Sequence, residues 1–345
     1  GGSAEIAPVN AAVKEFSVAL ANTAFVAGAL LLGPRCDGYH RGAMAGEPKT
    51  ATYLQVEGAR IRYEDTGPQD DPAPVVLVHG FASSLENWLA VTPTLAKKHR
   101  VLSMDLKGFG WSDRPEGDYS PAAEAKIVLA LMKARGIEKA SVVGHSWGSS
   151  VVLSMALAAP ERVSKIALYD AWVYEEQLPS FFLWARTPGL GEALFNAYYK
   201  ENVDERISFA FFDQERYITD QMMTAVERSL ERPGTIAAAL AATRGQRFSE
   251  FQDKYRTIKQ PTMLLWGRED EVTLLHFGEQ LSRELPNARM KVYPRCGHFP
   301  MIEAAAESTA DLLAFLDGEP MLSEAATAAL TGKTAAKPAT KTEAP

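Results

Sequence analysis

Cysteine and long apolar runs are scarce in this chain of 345 residues, and its 36 basic residues are outnumbered by 43 acidic ones. Its two cysteines, Cys36 and Cys296, are too few for a disulfide framework or a cysteine-ligated zinc site. A formal net charge of −7 argues against nucleic acid and against an anionic membrane surface as electrostatic partners. No internal repeat is visible. The remaining composition, 46% hydrophobic and 23% charged, is typical of a globular protein with one large domain or two small ones.

One uncharged stretch stands out, from Phe16 to Gly33. This stretch is barely long enough to span a bilayer. The polar residues Asn22 and Thr23 weaken the prediction of a membrane span further. Two alternatives stay open. A membrane anchor or uncleaved signal predicts a membrane-associated or exported protein, whereas an apolar helix packed on the protein or on a second subunit predicts a cytoplasmic one. The glycine-rich residues 37–50 predict a linker, which completes an N-terminal region of residues 1–50.

Short apolar strands alternate with helical patterns in the next part of the chain. Tyr53–Val56 and Arg60–Asp65 alternate in polarity around Glu57-Gly58, which predicts a β-hairpin. Val75–Val78 is a continuous apolar run that predicts a buried strand, and five further strands are predicted at Val101–Met104, Ser141–Val143, Lys165–Tyr169, Thr262–Trp266 and Arg289–Tyr293. The pattern predicts an α/β fold whose mostly parallel, eight-stranded sheet is flanked by helices and built from residues 51–171 and 259–318.

Two segments fall outside this alternation. Residues 172–258 show only helical patterns and are rich in aromatic side chains. A helical insertion above the carboxyl ends of the strands predicts a lid over the crevice where such sheets bind ligands. Residues 319–345 are rich in alanine, threonine, lysine and proline and show no apolar face, which predicts a disordered tail.

The stretch Gly144-His145-Ser146-Trp147-Gly148 carries the strongest signal for chemistry. It lies between a predicted strand and a predicted helix over Ser149–Ala159. Glycine-x-serine-x-glycine in that context predicts a tight turn with an exposed serine hydroxyl, because both glycines let neighbouring backbone approach closely. Ser146 is therefore the candidate nucleophile. The alternative is a serine that only caps the helix.

A nucleophilic serine needs a base and an acid that orients the base. After an elbow serine these partners follow in the order acid, then histidine. Asp270 and His298 each follow a predicted strand, so both are expected at the same sheet edge as Ser146. Asp170, also at a strand end, is the alternative acid, and Glu269 ranks below it. The N–H groups of Trp147 and Phe81 are the predicted donors of an oxyanion hole.

Five ordered motifs resemble the α/β-hydrolase fold family in its lidded serine esterase and lipase-like branch. They are His79-Gly80-Phe81, Asp105-x-x-Gly108-x-Gly110-x-Ser112, Gly144-His145-Ser146-Trp147-Gly148, Gly267-x-x-Asp270 and Gly297-His298-Phe299. The resemblance covers roughly Tyr53 to Leu316. It implies catalysis without cofactor or metal. Family members with epoxide hydrolase or haloalkane dehalogenase activity carry aspartate at the elbow, so Ser146 argues against both reactions.

Together these features favour hydrolysis of a carboxylic ester with an apolar or lipid-like acyl group, through an acyl-enzyme on Ser146. The same triad permits a thioesterase, a carbon–carbon hydrolase or a cofactor-free perhydrolase. A scaffold protein on a hydrolase fold is the non-enzymatic alternative, although it has no need for Ser146, Asp270 and His298 together. The expected partner is a small-molecule or lipid ester, with membrane association or self-association through Phe16–Gly33.

Overall fold

The computed structural model describes residues 38–319. The eight strands are β1 (Thr52–Val56), β2 (Ala59–Thr66), β3 (Val75–Val78), β4 (Val101–Met104), β5 (Ala140–His145), β6 (Val163–Tyr169), β7 (Thr262–Gly267) and β8 (Ala288–Tyr293). They form one sheet in the order β1-β2-β4-β3-β5-β6-β7-β8. β2 runs antiparallel to β1 and β4, and the remaining neighbours are parallel.

Helices cover the sheet and fill the long connection between β6 and β7. The α-helices are α1 (Thr92–Leu95), α2 (Pro121–Ala134), α3 (Trp147–Ala158), α4 (Ser180–Ala185), α5 (Leu190–Tyr198), α6 (Val203–Ser208), α7 (Gln214–Tyr217), α8 (Asp220–Leu230), α9 (Thr235–Gly245), α10 (Leu275–Glu284), α11 (Pro300–Glu303) and α12 (Ala305–Asp317). Short 3-10 helices lie at Leu85–Trp88, Pro160–Arg162, Glu175–Gln177, Phe248–Glu250 and Gln252–Thr257. The predicted fold class is confirmed, and all eight predicted strands are present with ends that differ by two residues at most.

The core lies in two apolar layers, one on each face of the sheet. Because successive strand side chains point to opposite faces, Val76 and Val78 of β3 pack into the layer under α2 and α3. Val75 and Leu77 pack into the other layer, under α1 and α12. Both layers hold the central strands rigidly, so residues at the carboxyl ends of these strands have fixed positions.

The connection between β6 and β7 contains α4 to α9. These helices build a small apolar cluster of their own, which includes Phe195, Tyr199 and Leu240. Phe81, from the loop after β3, packs against this cluster and also against the main core. The helical insertion therefore has its own packing, and it contacts a residue next to the predicted nucleophile.

The segment predicted to be a linker is fastened to the core where the structure describes it. It has no regular helix over residues 38–50, but His40 pairs with Arg114 in an isolated β-bridge. Glu47 forms an ion pair with Arg60 at 2.8 Å, and Met44 is buried. A linker prediction based on glycine content alone missed these contacts, because they depend on partners far along the chain.

The predictions for Phe16–Gly33 and for the tail beyond Glu319 lie outside the described residues. Among residues 38–319, no helix combines the length and the apolar character needed to cross a bilayer.

Candidate active site

Ser146 occupies a sharp turn between β5 and α3. Its backbone lies at φ 51° and ψ −124°, a region that non-glycine residues rarely adopt. The helix begins at Trp147, two residues earlier than the sequence predicted. The two motif glycines permit this turn: a Cβ at Gly148 would lie 2.3 Å from the His79 carbonyl oxygen, and one at Gly144 would lie 2.8 Å from the Gly148 carbonyl oxygen.

Backbone hydrogen bonds hold the strained turn in place. The Ser146 N–H donates to the Tyr169 carbonyl oxygen of β6 at 2.9 Å. The Ser146 carbonyl oxygen accepts from the Trp172 N–H at 3.1 Å and from the Ser149 N–H at 2.9 Å. Strain of this kind persists where the surrounding structure over-determines it, and it concentrates at functional sites. The turn fixes the serine at the carboxyl edge of the sheet.

Asp270 and His298 meet at the same edge, after β7 and β8. His298 Nδ1 lies 2.8 Å from Asp270 Oδ2. Asp270 also accepts hydrogen bonds from the Val272 N–H at 2.7 Å and the Thr273 N–H at 3.0 Å, both on Oδ1, and from the Thr273 hydroxyl at 2.6 Å on Oδ2. This acceptor geometry is that of an ionised carboxylate orienting an imidazole.

The electrostatics of Asp270 agree with that arrangement. Burial by itself would raise the pKa of Asp270. The charge and hydrogen bond of His298, with the hydrogen bond from Thr273, outweigh burial and hold the pKa of Asp270 below its usual value. Asp270 is therefore ionised at neutral pH and can stabilise a positive imidazole.

Two glutamates fix the loop that carries His298. Glu269 accepts from the Cys296 N–H at 3.0 Å, and Glu303 accepts from the Gly297 N–H at 2.8 Å. Glu269, a lower-ranked candidate for the acid, thus bonds to loop backbone instead. The backbone N–H of His298 donates to the Ala210 carbonyl oxygen at 2.7 Å. That last bond ties the histidine loop directly to the helical insertion.

Asp170, the alternative acid, follows β6 and lies beside Asp270. Its Oδ1 accepts from the Gly267 N–H at 2.9 Å, and the side chain is fully buried. His298 Nδ1 donates to Asp270 Oδ2 at 2.8 Å and lies 3.4 Å from the Thr273 hydroxyl oxygen. The structure therefore brings Asp170 close to the His298–Asp270 pair without placing it on the imidazole.

Aromatic rings surround the elbow. The Phe81 ring centroid lies 6.3 Å from that of Trp147 and 5.5 Å from that of Phe109. Phe182 of α4 lies 5.6 Å from Phe81 and 6.1 Å from Trp172. Trp147 is the first residue of α3, so its N–H lies ahead of the helical hydrogen-bond ladder. The loop of Phe81 and the helix start at Trp147 thus adjoin, as a shared oxyanion site requires.

His145 forms hydrogen bonds within the site that the sequence did not predict. Its Nε2 lies 2.8 Å from the His298 carbonyl oxygen, and its Nδ1 lies 3.1 Å from Asn87 Nδ2. Burial, and then the charge of His298, hold the pKa of His145 well below its usual value, so the ring stays neutral. One tautomer satisfies both contacts, with Nε2–H donating to His298 and Nδ1 accepting from Asn87. His145, the residue before the candidate nucleophile, therefore holds the loop that carries His298 in place through this hydrogen bond.

We expect His145→Leu to lower kcat by about 10–100-fold while KM changes little, because a small displacement of the base disrupts proton transfer. His145→Gln should recover most of the loss, since its amide N–H can reach the His298 carbonyl oxygen. Steady-state kinetics on both variants test this, with circular dichroism to verify folding. Equal activity in His145→Leu and the wild type would contradict the positioning role.

Asp170, Asp270 and His298 also have the composition of a metal-binding group, and one potential ligand atom from each lies within 4.8 Å of the others. His298 Nδ1 and Asp270 Oδ2, however, are directly hydrogen-bonded to each other. The same atoms cannot also bind a cation without breaking that bond. These contacts fit a carboxylate that orients an imidazole.

The pattern that defines the alpha/beta hydrolase fold matches residues 73–305. The protein belongs to the α/β-hydrolase fold family. The matched residues include Ser146, Asp170, Asp270 and His298. The sheet places these residues at the carboxyl ends of its strands.

Relatives of known activity cover most of the chain. A 2-hydroxy-6-oxononadienedioate/2-hydroxy-6-oxononatrienedioate hydrolase from Paraburkholderia phymatum is 30% identical over 284 residues, covering 78% of this chain and 96% of the relative. A dihydrolipoyllysine-residue acetyltransferase component of an acetoin cleaving system from Pseudomonas putida is 31% identical, covering 76% of this chain and 68% of the relative. The structure of a meta-cleavage product hydrolase from Pseudomonas fluorescens IP01 is 26% identical with a TM-score of 0.65, covering 77% of this chain and 97% of that one.

Proposed function

We propose that the protein is a serine hydrolase that cleaves a carbon–carbon bond next to a ketone in a small conjugated substrate. Ser146 is the nucleophile, His298 the general base and acid, and Asp270 the group that orients His298. The ester hydrolysis favoured by the sequence uses the same residues. The choice of bond rests on one observation, the similarity to a 2-hydroxy-6-oxononadienedioate hydrolase over 96% of that enzyme's length.

The first half-reaction forms an ester on the serine. His298 removes the Ser146 hydroxyl proton as the oxygen attacks the ketone carbon. The carbon–carbon bond then breaks, and the proton held by His298 is returned to the oxygen of the departing dienolate. In its keto tautomer the substrate is R–CO–CH2–R′, where R′ is CH=CH–CO–COO⁻, and the reaction gives R–CO–O–Ser146 and the 2-hydroxydienoate CH2=CH–CH=C(OH)–COO⁻. Conjugation in R′ spreads the charge of the leaving carbanion, which a simple alkyl group could not do.

The second half-reaction hydrolyses that ester. His298 removes a proton from water, the hydroxide adds to the acyl carbon, and R–COOH leaves as Ser146 regains its proton. Asp270 stabilises the imidazolium in both halves. The Phe81 and Trp147 N–H groups receive the oxyanion of each tetrahedral intermediate, at the positive end of the α3 dipole.

The helices between β6 and β7 form the lid of this site. Phe182 of α4 packs against Phe81 and Trp172, both of which adjoin the elbow. Flat aromatic surfaces suit a planar conjugated chain, and they exclude water that would hydrolyse or protonate intermediates prematurely. The N-terminal stretch Phe16–Gly33 is a separate element in this proposal, for membrane association or self-association.

We expect the protein to consume 2-hydroxy-6-oxononadienedioate and to release one carboxylic acid and one 2-hydroxydienoate per turnover. Loss of the conjugated chromophore gives the rate, and chromatography identifies the two products. The p-nitrophenyl esters of acetate, butyrate and octanoate serve as comparison substrates in the same assay. Turnover of esters with no cleavage of the ketone would overturn the carbon–carbon assignment and favour the ester alternative.

A further inference from the structure

Asp170 is a buried carboxyl group for which the proposed reaction has no direct use. It shares a small region with Asp270 and His298, and one oxygen or nitrogen atom from each side chain lies within 4.8 Å of the others. Both aspartates are almost completely shielded from solvent. Two ionised carboxylates at this separation repel strongly in a buried site, so the pair holds one proton.

The hydrogen-bond partners show which aspartate carries that proton. Asp270 accepts from four donors, two backbone N–H groups, the Thr273 hydroxyl and His298. Asp170 accepts from one, the Gly267 N–H on Oδ1. Within the described part of the chain its Oδ2 accepts no hydrogen bond. A carboxylate oxygen buried without a donor is costly, whereas a protonated oxygen becomes a donor itself.

We propose that Asp170 is a protonated positioning residue that donates a hydrogen bond from its carboxyl group to Asp270. The inference rests on the proposed role of Asp270 as the orienting acid. This hydrogen bond gives Asp270 a further donor. The two aspartates together then carry a single negative charge beside His298. The backbone supports this placement, because Asp170 is held at φ 43°, a left-handed conformation that aspartate tolerates better than most residues.

The electrostatic surroundings agree. Burial, then the charge of Asp270, raises the pKa of Asp170 well above its usual value. The other titratable groups near it are Tyr169, Cys296 and Glu303, and burial raises the pKa of each. The Tyr169 hydroxyl and the Cys296 thiol therefore stay neutral and supply no positive charge that would favour ionised Asp170. His298 pairs with Asp270, as described above.

The first test reads the protonation state without turnover. In protein labelled with 13C-aspartate, the infrared spectrum at neutral pH should contain a carboxylic-acid C=O band that shifts with the label. The band should disappear in labelled Asp170→Asn. Absence of any labelled acid band in the wild type would overturn the proposal, and it would do so whether or not Ser146 proves to be the nucleophile.

The second test uses pH profiles of kcat/KM. Asp170→Asn keeps a neutral donor, so we expect activity within about threefold of the wild type and an unmoved midpoint of the acidic limb. Asp170→Ala loses the donor and should lower kcat by about 10–100-fold at an unchanged KM. Were Asp170 ionised, Asp170→Asn would remove a negative charge near His298 and move the midpoint down by roughly one to three pH units. Such a shift would contradict the proposal.

Discussion

Ser146→Ala should lower kcat by at least about 10⁴-fold on any substrate that the wild type turns over. The reason is that the substitution removes the only atom that forms the acyl-enzyme in the proposed reaction. Binding and the oxyanion donors remain, so a small residual rate above that in water is expected. Kinetics with the ketone substrate, together with labelling by a fluorophosphonate probe, measure the effect.

The fold should survive this change. Alanine differs from serine by one oxygen and meets the same positive φ at the turn, so the thermal midpoint should stay close to that of the wild type. Ser149→Ala is the matched control, because Ser149 is buried in the helix that follows the elbow and its hydroxyl has no hydrogen-bond partner among the described residues. It should keep both activity and labelling. Labelling that persists in Ser146→Ala would move the nucleophile elsewhere.

Asp270→Asn should lower kcat by roughly 10³–10⁴-fold with a much smaller change in KM. An asparagine side chain fits the space, but its amide group cannot accept from Val272, Thr273 and His298 as the carboxylate does. His298 then loses both the acceptor that fixes its tautomer and the negative charge that stabilises its protonated form. Pre-steady-state kinetics separate this loss in chemistry from any loss in binding.

The control for Asp270→Asn is Asp253→Asn, whose side chain is 88% exposed and takes no part in the site. It should behave as the wild type in kinetics and thermal melts. The comparison with Asp170 decides the acid. If Asp170→Asn reduced kcat more than Asp270→Asn did, the orienting carboxylate would be Asp170, and the hydrogen bond between His298 and Asp270 would be secondary.

The sequence predicted the sheet correctly and proposed the triad candidates, because both depend on local patterns. Buried strands such as Val75–Val78 are continuous apolar runs, and Ser146, Asp270 and His298 each lie within a few residues after a predicted strand. Parallel strands bring those ends to one edge without any knowledge of side-chain packing. The order of the motifs along the chain, serine then acid then histidine, assigned the role proposed for each residue.

Other features depend on contacts between distant residues. The bond from His145 to the His298 loop joins residues 153 positions apart, and periodicity gives no sign of it. The sequence ranked Asp270 above Asp170, but the hydrogen bond from His298 that supports this ranking joins residues 28 positions apart. The attachment of residues 38–50 through His40 and Glu47 is equally non-local. The scissile bond depends on differences in the pocket that the shared triad motifs do not encode.

Partition of the acyl group between water and methanol tests the central proposal most directly. A ketone substrate and an ester that carries the same acyl group should pass through one common ester on Ser146. With methanol added, both substrates should therefore yield the methyl ester and the free acid in the same ratio, and neither product should form with Ser146→Ala. If the ester gave the methyl ester while the ketone gave only the acid, carbon–carbon cleavage would not proceed through an acyl-enzyme on Ser146.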